Sequence, residues 1–244
     1  MPKARRRKTP STMPSEPIRI FIGYDPREAV AFSVLAYSIH ARASVPVTIA
    51  PLMLSQLKRE MRRERHPLQS TDFSFSRFLV PSLAGFRGWA LFMDCDMLML
   101  DDVAKLWALR DERHAVMVVK HSHVPPETRK FLNEPQSRYE KKNWSSVMLM
   151  NCAKCQALTP DYVNAATGLA LHRFEWLGGE KLIGEIPHRW NHLVDYDPAA
   201  PVGEVSSLHY TVGGPYIPGF EKCGYADLWF AERERMLHAS AGKK

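Results

Sequence analysis

Short apolar runs alternate with segments of helical periodicity along the chain, and this alternation restricts the possible folds more than any other feature. Apolar, β-branched runs predict strands at residues 18–23, 45–50, 88–93 and 115–120. Helices are expected at residues 26–40, 52–65, 75–83, around Trp107, at 159–170 and at 225–237. Alternating β and α units indicate an α/β domain with a mostly parallel central sheet flanked by helices.

The composition is typical of a globular protein with one large domain. The chain has 244 residues, of which 45% are hydrophobic and 24% charged, and it can bury a core without disulfides. No apolar run reaches the roughly 18 residues of a membrane span, and no secretion signal is visible, so we expect a cytoplasmic protein. Cys152 and Cys155 are either half of a zinc site or packing cysteines, and no second Cys/His pair has suitable spacing.

The first 17 residues carry much of the excess positive charge. The formal net charge is +7, and residues 1–17 hold five basic side chains and one glutamate, a net +4. We predict a disordered basic tail there, in front of a single domain at residues 18–240. The tail is either simply solvated or contacts anionic lipid at the inner face of the membrane. Since the remaining chain is only mildly basic, we expect no nucleic-acid partner.

Asp94 and Asp96 stand one residue apart at the end of an apolar run. Residues i and i+2 of a strand point to the same side, so both carboxylates can face one point. Hard divalent cations such as Mg²⁺ or Mn²⁺ take oxygen ligands of this kind together with substrate phosphates. The pair therefore predicts a metal that holds a diphosphate, with ordinary surface carboxylates as the alternative.

The first predicted strand ends at Gly23, Tyr24 and Asp25. Ligands of parallel sheets bind beyond the carboxyl ends of the strands, so this turn and the aspartate pair are expected to share a nucleotide site. The chain has no glycine-rich phosphate loop and no Gly-x-Ser-x-Gly nucleophile motif. A bound diphosphate would therefore have to be neutralised in another way, and a metal would do so.

Three segments of the second half combine polar and aromatic residues in ways that suit a sugar pocket. Ser145 and Ser146 open an apolar strand, although an ordinary strand start is equally compatible. Residues 172–176 are typical of carbohydrate contact and also of an amphipathic edge. His209 precedes a Gly-Gly turn that would let the backbone approach a ligand closely, but a lone histidine is usually structural.

Taken together and in order, these motifs resemble glycosyltransferase family eight, which includes bacterial lipopolysaccharide glycosyltransferases and glycogenin. The matching segments span about residues 18 to 217, and they are residues 21–25, 75–81, 92–96, 145–151, 190–191 and 209–215. The resemblance implies a single GT-A domain, a Rossmann-like nucleotide-diphospho-sugar transferase fold. It also implies transfer of a hexose from a UDP-sugar to a saccharide, lipopolysaccharide or other glycolipid acceptor, with retention of configuration.

The resemblance implies a role for each matching position. Asp94 and Asp96 match the family's metal-binding aspartates for Mn²⁺ or Mg²⁺, and His209 matches its third protein ligand. Asp25 matches the carboxylate that contacts the uracil ring. Arg77 matches the arginine that approaches the donor sugar and phosphate, a task suited to a guanidinium.

Further positions are expected to bind the donor or the acceptor. The catalytic set is completed by Glu175, a polar group expected near the reacting centre. The substrate-binding set includes Asp94 and Arg77, which also belong to the catalytic set. Its other members are Gly23, Tyr24, Asp25, Cys95, Ser145, Ser146, Asn191, Gly213 and Gly214. Gly213 and Gly214 match backbone at the diphosphate, and the two serines match positions that hold sugar hydroxyls.

The sequence also departs from the family pattern, which suggests a divergent subgroup. The family usually has a lysine six residues after the histidine that matches His209, whereas this chain has Pro215 there and its next lysine is Lys222. A non-catalytic nucleotide-sugar-binding or scaffold protein on the same fold therefore stays open. So does a phosphatase of the haloacid-dehalogenase type, although its Asp-x-Asp normally lies on the first strand. Nucleotidyl transfer is a further alternative.

Overall fold

The computed structural model describes residues 16–65, 69–122 and 141–238. The strands are β1 Ile18–Gly23, β2 Val47–Leu52, β3 Trp89–Met93, β4 Met97–Met99, β5 Val116–Val118, β6 Val147–Asn151, β7 Ile183–Glu185, β8 His192–Leu193 and β9 Ser207–His209. The α-helices are α1 Ala29–Arg42, α2 Phe73–Ser76, α3 Val80–Leu83, α4 Val103–Trp107, α5 Pro160–Ala165, α6 Gly168–His172 and α7 Ala226–His238.

Within the described residues, six strands form a central sheet in the order β2–β1–β3–β6–β5–β7. β1 pairs in parallel with β2 and with β3, and β5 pairs in parallel with β7. β6 runs antiparallel to its neighbours β3 and β5. The predicted α/β fold with a mostly parallel central sheet is thus confirmed, and β6 is its one reversed strand among the residues described.

A small second sheet, β4–β9–β8, lies beside the central one and carries part of the site. β9 pairs antiparallel to β4 and parallel to β8. Every residue of β3 and β4 is buried, so the Asp-x-Asp motif joins two strands of the core. Helix α1 packs against β4 and α7. Arg42 of α1 donates to both carboxylate oxygens of Glu232 on α7, at 2.6 and 2.7 Å.

The prediction of a helix at residues 52–65 is wrong, because this segment forms a series of turns. The backbone N–H groups of Arg62 and Arg63 donate to the Asn164 side chain, at 2.6 and 2.8 Å, instead of to carbonyls four residues earlier. The Arg63 guanidinium also lies 3.9 Å from the centre of the Phe75 ring. Part of this arginine-rich segment is therefore a packed contact.

Other element boundaries differ in smaller ways. The helix predicted at residues 159–170 is divided into α5 and α6, because Thr167 caps a new helix by accepting from the Ala170 N–H. The predicted tail at residues 1–17 lies outside the described residues except for its last two. Within residues 16–65, 69–122 and 141–238, no helix combines the length and the apolar character that crossing a membrane requires.

Candidate functional site

Asp94 and Asp96 are fixed by backbone hydrogen bonds at the junction of the two sheets. Asp94 follows β3 and its N–H donates to the carbonyl of Ser146 at 2.9 Å. The carbonyl of Asp96, which precedes β4, accepts from the Tyr210 N–H at 2.8 Å. Both aspartates are buried, at 8% and 5% exposure. Buried carboxylates need a partner, because desolvation of a charge is costly, and an imidazole and a guanidinium lie next to them.

The first partner is His209, which the small sheet brings to the aspartate pair. β9 pairs with β4 so that His209 lies opposite Met97, one residue after Asp96. Its Nε2 is 3.3 Å from Asp96 Oδ1 and 3.9 Å from Asp94 Oδ2. One ligand atom from each of the three side chains lies within 4.8 Å of the others. Two carboxylates and an imidazole at this spacing are a donor set that fits a divalent cation.

A buried asparagine determines which nitrogen of His209 faces the aspartates. Asn191 Nδ2 donates to the carbonyl of Asn143 at 3.3 Å, which turns Asn191 Oδ1 towards His209. This oxygen accepts from His209 Nδ1 at 2.9 Å. Since an amide oxygen can only accept, Nδ1 is the donor in this arrangement, which leaves Nε2 facing the aspartates as the nitrogen available to a metal.

The second partner is Arg77, which is held on several sides. Its Nη1 lies 2.8 Å from Asp94 Oδ1 and donates to the Ser145 carbonyl at 2.9 Å, and its Nε donates to the Phe73 carbonyl at 3.3 Å. The guanidinium lies between two rings, 5.2 Å from the centre of Phe73 and 5.1 Å from that of Phe92. A planar guanidinium suits this combination of stacking and directed donation, and an ammonium does not.

A cavity of about 340 Å³ opens in front of these groups. Asp94, Asp96, His209 and Arg77 line it, together with a set of hydroxyl side chains, Ser70, Thr71, Ser74, Ser145, Ser146, Thr167 and Thr211. Its other cations are Arg63 and Lys142. The cavity therefore combines a negative metal-type cluster, positive side chains and many hydroxyl donors and acceptors.

His172 lies in the cavity wall as a neutral base. Its Nδ1 is 2.8 Å from Ser145 Oγ. Burial, with a further contribution from the positive charge of Arg77, holds the pKa of His172 well below its usual value. The imidazole is consequently uncharged at neutral pH, and it can position the Ser145 hydroxyl without adding charge to the wall.

Asp25 lies next to the cavity without lining it. Its carboxylate caps the turn before α1 by accepting from the Arg27 N–H at 3.0 Å, and it forms an ion pair with the Arg27 side chain at 2.6 Å. It also accepts from the Asp72 N–H at 3.2 Å. Burial acts to raise the pKa of Asp25, but the hydrogen bonds from Arg27 and Asp72 outweigh it and leave the pKa lowered.

The glycine and tyrosine before Asp25 are also outside the cavity lining. A Cβ on Gly23 would clash with the ring of Phe73, so this position requires glycine for packing. The Tyr24 ring makes an edge contact with Phe32, with centroids 5.5 Å apart.

Four other predicted site residues do not line the cavity. Cys95 is fully buried and its Sγ donates to Glu28 at 3.9 Å, and burial followed by the charge of Glu28 raises its pKa well above the usual value. A Cβ on Gly213 or on Gly214 would clash with an aromatic ring, that of Phe220 or Tyr216 respectively. Glu175 is exposed and does not line the cavity.

Several cavity residues had no signal in the sequence. Lys142 lines the cavity, while Lys222, the nearest lysine after His209, is exposed and lies elsewhere. Asn143, which precedes the serines, has φ 64°, a left-handed conformation that asparagine tolerates better than most residues. Only the polar run around Ser145 hinted at this part of the wall.

Comparison with solved structures identifies the fold. The chain is similar to the bifunctional glycosyltransferase WbbM, with a TM-score of 0.59 at 13% identity over 89% of this chain and 49% of WbbM. It is similar to the glycosyltransferase GlyE of Streptococcus pneumoniae TIGR4, with a TM-score of 0.60 at 12% identity over 91% of this chain and 62% of GlyE. The chain thus spans about half of WbbM and under two thirds of GlyE.

The galactosyltransferase LgtC, solved in complex with donor and acceptor sugar analogs, is matched over 95% of its chain and 89% of this one, with a TM-score of 0.54 at 14% identity. These structures are GT-A glycosyltransferases, and the chain has their fold.

Comparison of sequences identifies the family. No protein-family model matches the chain. A curated relative, Protein CDI of Arabidopsis thaliana, is 46% identical over 226 residues, which cover 90% of this chain and 87% of that protein. Identity of this degree over nearly the whole length means a shared fold and common descent. The chain therefore belongs to the family of Protein CDI.

Proposed function

We propose that the protein is a metal-dependent glycosyltransferase that moves a hexosyl group from a UDP-sugar to a saccharide or glycolipid acceptor, with retention. The observation that carries the proposal is the cluster of Asp94, Asp96 and His209 in the wall of a cavity rich in hydroxyl groups. The shared fold with LgtC, which was solved with donor and acceptor sugar analogs, supports the same conclusion.

The donor set favours Mn²⁺ over Mg²⁺. Mg²⁺ prefers an octahedral shell of oxygen ligands, whereas here the imidazole of His209 converges with the carboxylates, 3.3 Å from Asp96. When bound, a divalent cation would supply positive charge to the leaving diphosphate. Asp94, Asp96 and His209 would hold it, and Asn191 would keep His209 Nε2 directed at it.

Arg77 and Lys142 are proposed to bind the donor phosphates. Arg77 also keeps Asp94 in place through the 2.8 Å ion pair, so the metal ligand and the phosphate-binding group are mutually ordered. Lys142 lines the same cavity, and Lys222 does not. We therefore assign to Lys142 the task of the lysine that is missing after His209. Glu175, exposed and outside the lining, has no part in this assignment.

The reaction exchanges one bond at the sugar for another. The bond between the anomeric carbon and the diphosphate oxygen breaks, and UDP leaves with the electron pair. The anomeric carbon forms a bond to the acceptor hydroxyl on the same face, and the proton of that hydroxyl passes to the diphosphate oxygen of the departing UDP. Serine and threonine hydroxyls of the wall, among them Ser145 and Ser146, are placed to hydrogen-bond the sugars.

Calorimetric titration with UDP, with and without Mn²⁺, tests the proposal. The wild type is compared with Asp96→Asn, which keeps the shape of the side chain and removes its charge. Asp161→Asn is the control, because the Asp161 side chain is 88% exposed and pairs with Arg62, whose side chain is itself 56% exposed. We expect Mn²⁺-dependent UDP binding in the wild type and control and its loss in Asp96→Asn. Binding that needs no metal, or that survives in Asp96→Asn, would overturn the proposal.

A second measurement separates a transferase from a protein that only binds the nucleotide sugar. Release of UDP from a panel of UDP-hexoses is followed with Mn²⁺, in water and with saccharide or glycolipid acceptors. UDP release that depends on Asp96 supports transfer. Tight, metal-dependent binding without turnover of any donor would instead favour the binding protein.

A further inference from the structure

A second group of metal-ligating side chains lies outside the aspartate site. It consists of His121, His188 and Asp197, named here the histidine cluster, and His192 lies beside it. His188 Nε2 is 3.3 Å and His192 Nδ1 is 3.8 Å from Asp197 Oδ2. The ring centroids of His121 and His188 are 5.0 Å apart. One ligand atom each from His121, His188 and Asp197 lies within 4.8 Å of the other two.

The fold brings these residues together through strand register. β5 and β7 are parallel neighbours in which Val118 lies opposite Glu185. His121 follows Val118 by three residues, and His188 follows Glu185 by three residues, so both strands deliver a histidine to the same edge. The pairing continues past the strands, since the Ile186 N–H donates to the Val118 carbonyl at 2.8 Å.

The carboxylate of the cluster is held in place before any ligand binds. Asp197 Oδ2 accepts from the Leu193 N–H at 2.6 Å, which fixes the turn after β8. His121 and His192 are buried, while the His188 side chain is 52% exposed. An ion could therefore enter from solvent past His188 and meet ligands that are already ordered.

The chemistry of this cluster differs from that of the aspartate site. Imidazole nitrogens with one carboxylate are ligands of zinc and similar transition metals, while hard cations prefer oxygen. Tetrahedral zinc with bonds of about 2.0–2.1 Å places neighbouring ligand atoms about 3.3 Å apart. The separation of His188 Nε2 and Asp197 Oδ2 matches this value at 3.3 Å.

We propose that His121, His188 and Asp197 form a second metal site that takes Zn²⁺ or a similar transition-metal ion. The site shares no residue with Asp94, Asp96 and His209. It would fasten the end of β5 to the segment from 188 to 197. That segment carries Asn191, which orients His209, so an ion in the histidine cluster would stiffen the support of the aspartate site.

Titration with Co²⁺ tests the proposed site, because the visible absorption of Co²⁺ reports its ligands and geometry. The full-length protein is used after its metals have been removed with a chelator. The wild type is compared with His188→Ala, an exposed position whose change should not impair folding, and with Asp197→Asn, which can still accept from the Leu193 N–H. The control is His238→Ala, which removes an exposed histidine 3.5 Å from Glu234. Asp96→Asn removes the aspartate site independently.

We expect the intense absorption of tetrahedral Co²⁺ with nitrogen ligands in the wild type, in His238→Ala and in Asp96→Asn. Added Zn²⁺ should displace the Co²⁺ and abolish this absorption. His188→Ala and Asp197→Asn are expected to lose it and to lose the rise in Tm that Zn²⁺ causes in the wild type. The proposal is overturned if the wild type shows no such absorption, if both cluster variants retain it, or if it disappears in Asp96→Asn. The readout needs no activity, so it is independent of the proposed function.

Discussion

Replacing Asn191 with leucine should weaken Mn²⁺ binding while leaving every proposed metal ligand in place. Asn191 is completely buried, and its oxygen accepts from His209 Nδ1 at 2.9 Å. Leucine has a similar volume but no acceptor, so His209 could turn or carry its proton on Nε2, the atom that faces Asp96. Loss of a group that orients a metal ligand typically costs 10–100-fold in metal affinity, or about 1.4–2.7 kcal/mol.

Asn191→Asp separates this effect from a general loss of packing. The aspartate can still accept from His209 Nδ1, while it loses the 3.3 Å bond to the Asn143 carbonyl and adds a buried negative charge next to the imidazole. Mn²⁺ affinity should therefore remain near the wild-type value in Asn191→Asp and fall in Asn191→Leu. Asn151→Leu serves as a control, since it removes another buried amide, bonded to Glu112 at 2.8 Å, far from the proposed ligands in the chain.

Mn²⁺ binding is measured by calorimetry, and Tm is recorded for each variant to detect unfolding. The expected loss of Mn²⁺ affinity in Asn191→Leu is at least about tenfold. If this variant is still folded and binds Mn²⁺ within about twofold of the wild-type affinity, the reasoning is refuted. An equal loss in Asn151→Leu would show that the effect is a general consequence of losing a buried amide.

Three further predictions concern charged residues. Arg77→Lys keeps the charge but cannot bond Asp94 and two carbonyls together, so UDP release from the donor should fall about 10²-fold, measured by coupled assay. Lys142→Gln should weaken UDP binding by about 1.5–3 kcal/mol and leave uridine binding unchanged, measured by calorimetry. Burial acts to raise the pKa of Glu232, but hydrogen bonds from Arg42 outweigh it and lower the pKa. Glu232→Gln should therefore lose about 1.5–3 kcal/mol of stability at pH 7, measured by denaturant titration. The difference from the wild type should shrink as the pH falls from the pKa of the unfolded state, about 4.5, towards the lower pKa of the folded state.

The parts of the fold that follow from local pattern were predictable from the sequence. Residues 18–23 form β1 at the predicted bounds, and β3 begins one residue after its predicted start. In both segments a short apolar run ends at a Gly or an Asp, and such a run has few alternatives to a buried strand. The helix expected at residues 52–65 failed because a side chain of a distant helix, Asn164, takes the N–H groups that a helix would use internally.

The candidate site was predictable from local pattern where its residues follow a strand end, and the family resemblance supplied Arg77, Ser145, Ser146 and His209, which line the same cavity. Asp94 and Asp96 stand out in the sequence. Lys142 does not, because it lines the cavity together with residues that are distant in the chain. The histidine cluster shows the same limit, because His121 and His188 are 67 residues apart and meet only through the parallel register of β5 and β7. Pairing of distant strands is decided by the whole sheet, and a single sequence gives no local sign of it.

The charges around the cavity explain how the protein could bind a diphosphate without a lysine after His209. Asp94 and Asp96 contribute two negative charges, and Arg77 offsets one of them through its ion pair. A divalent cation would convert the remaining negative charge into one net positive charge, and Lys142 and Arg63 in the same wall add two more. The metal and these side chains together would balance the several negative charges of a diphosphate, and charge left unbalanced next to buried carboxylates is costly. The metal and Lys142 are therefore expected to act together, so that removing either one should weaken UDP far more than uridine.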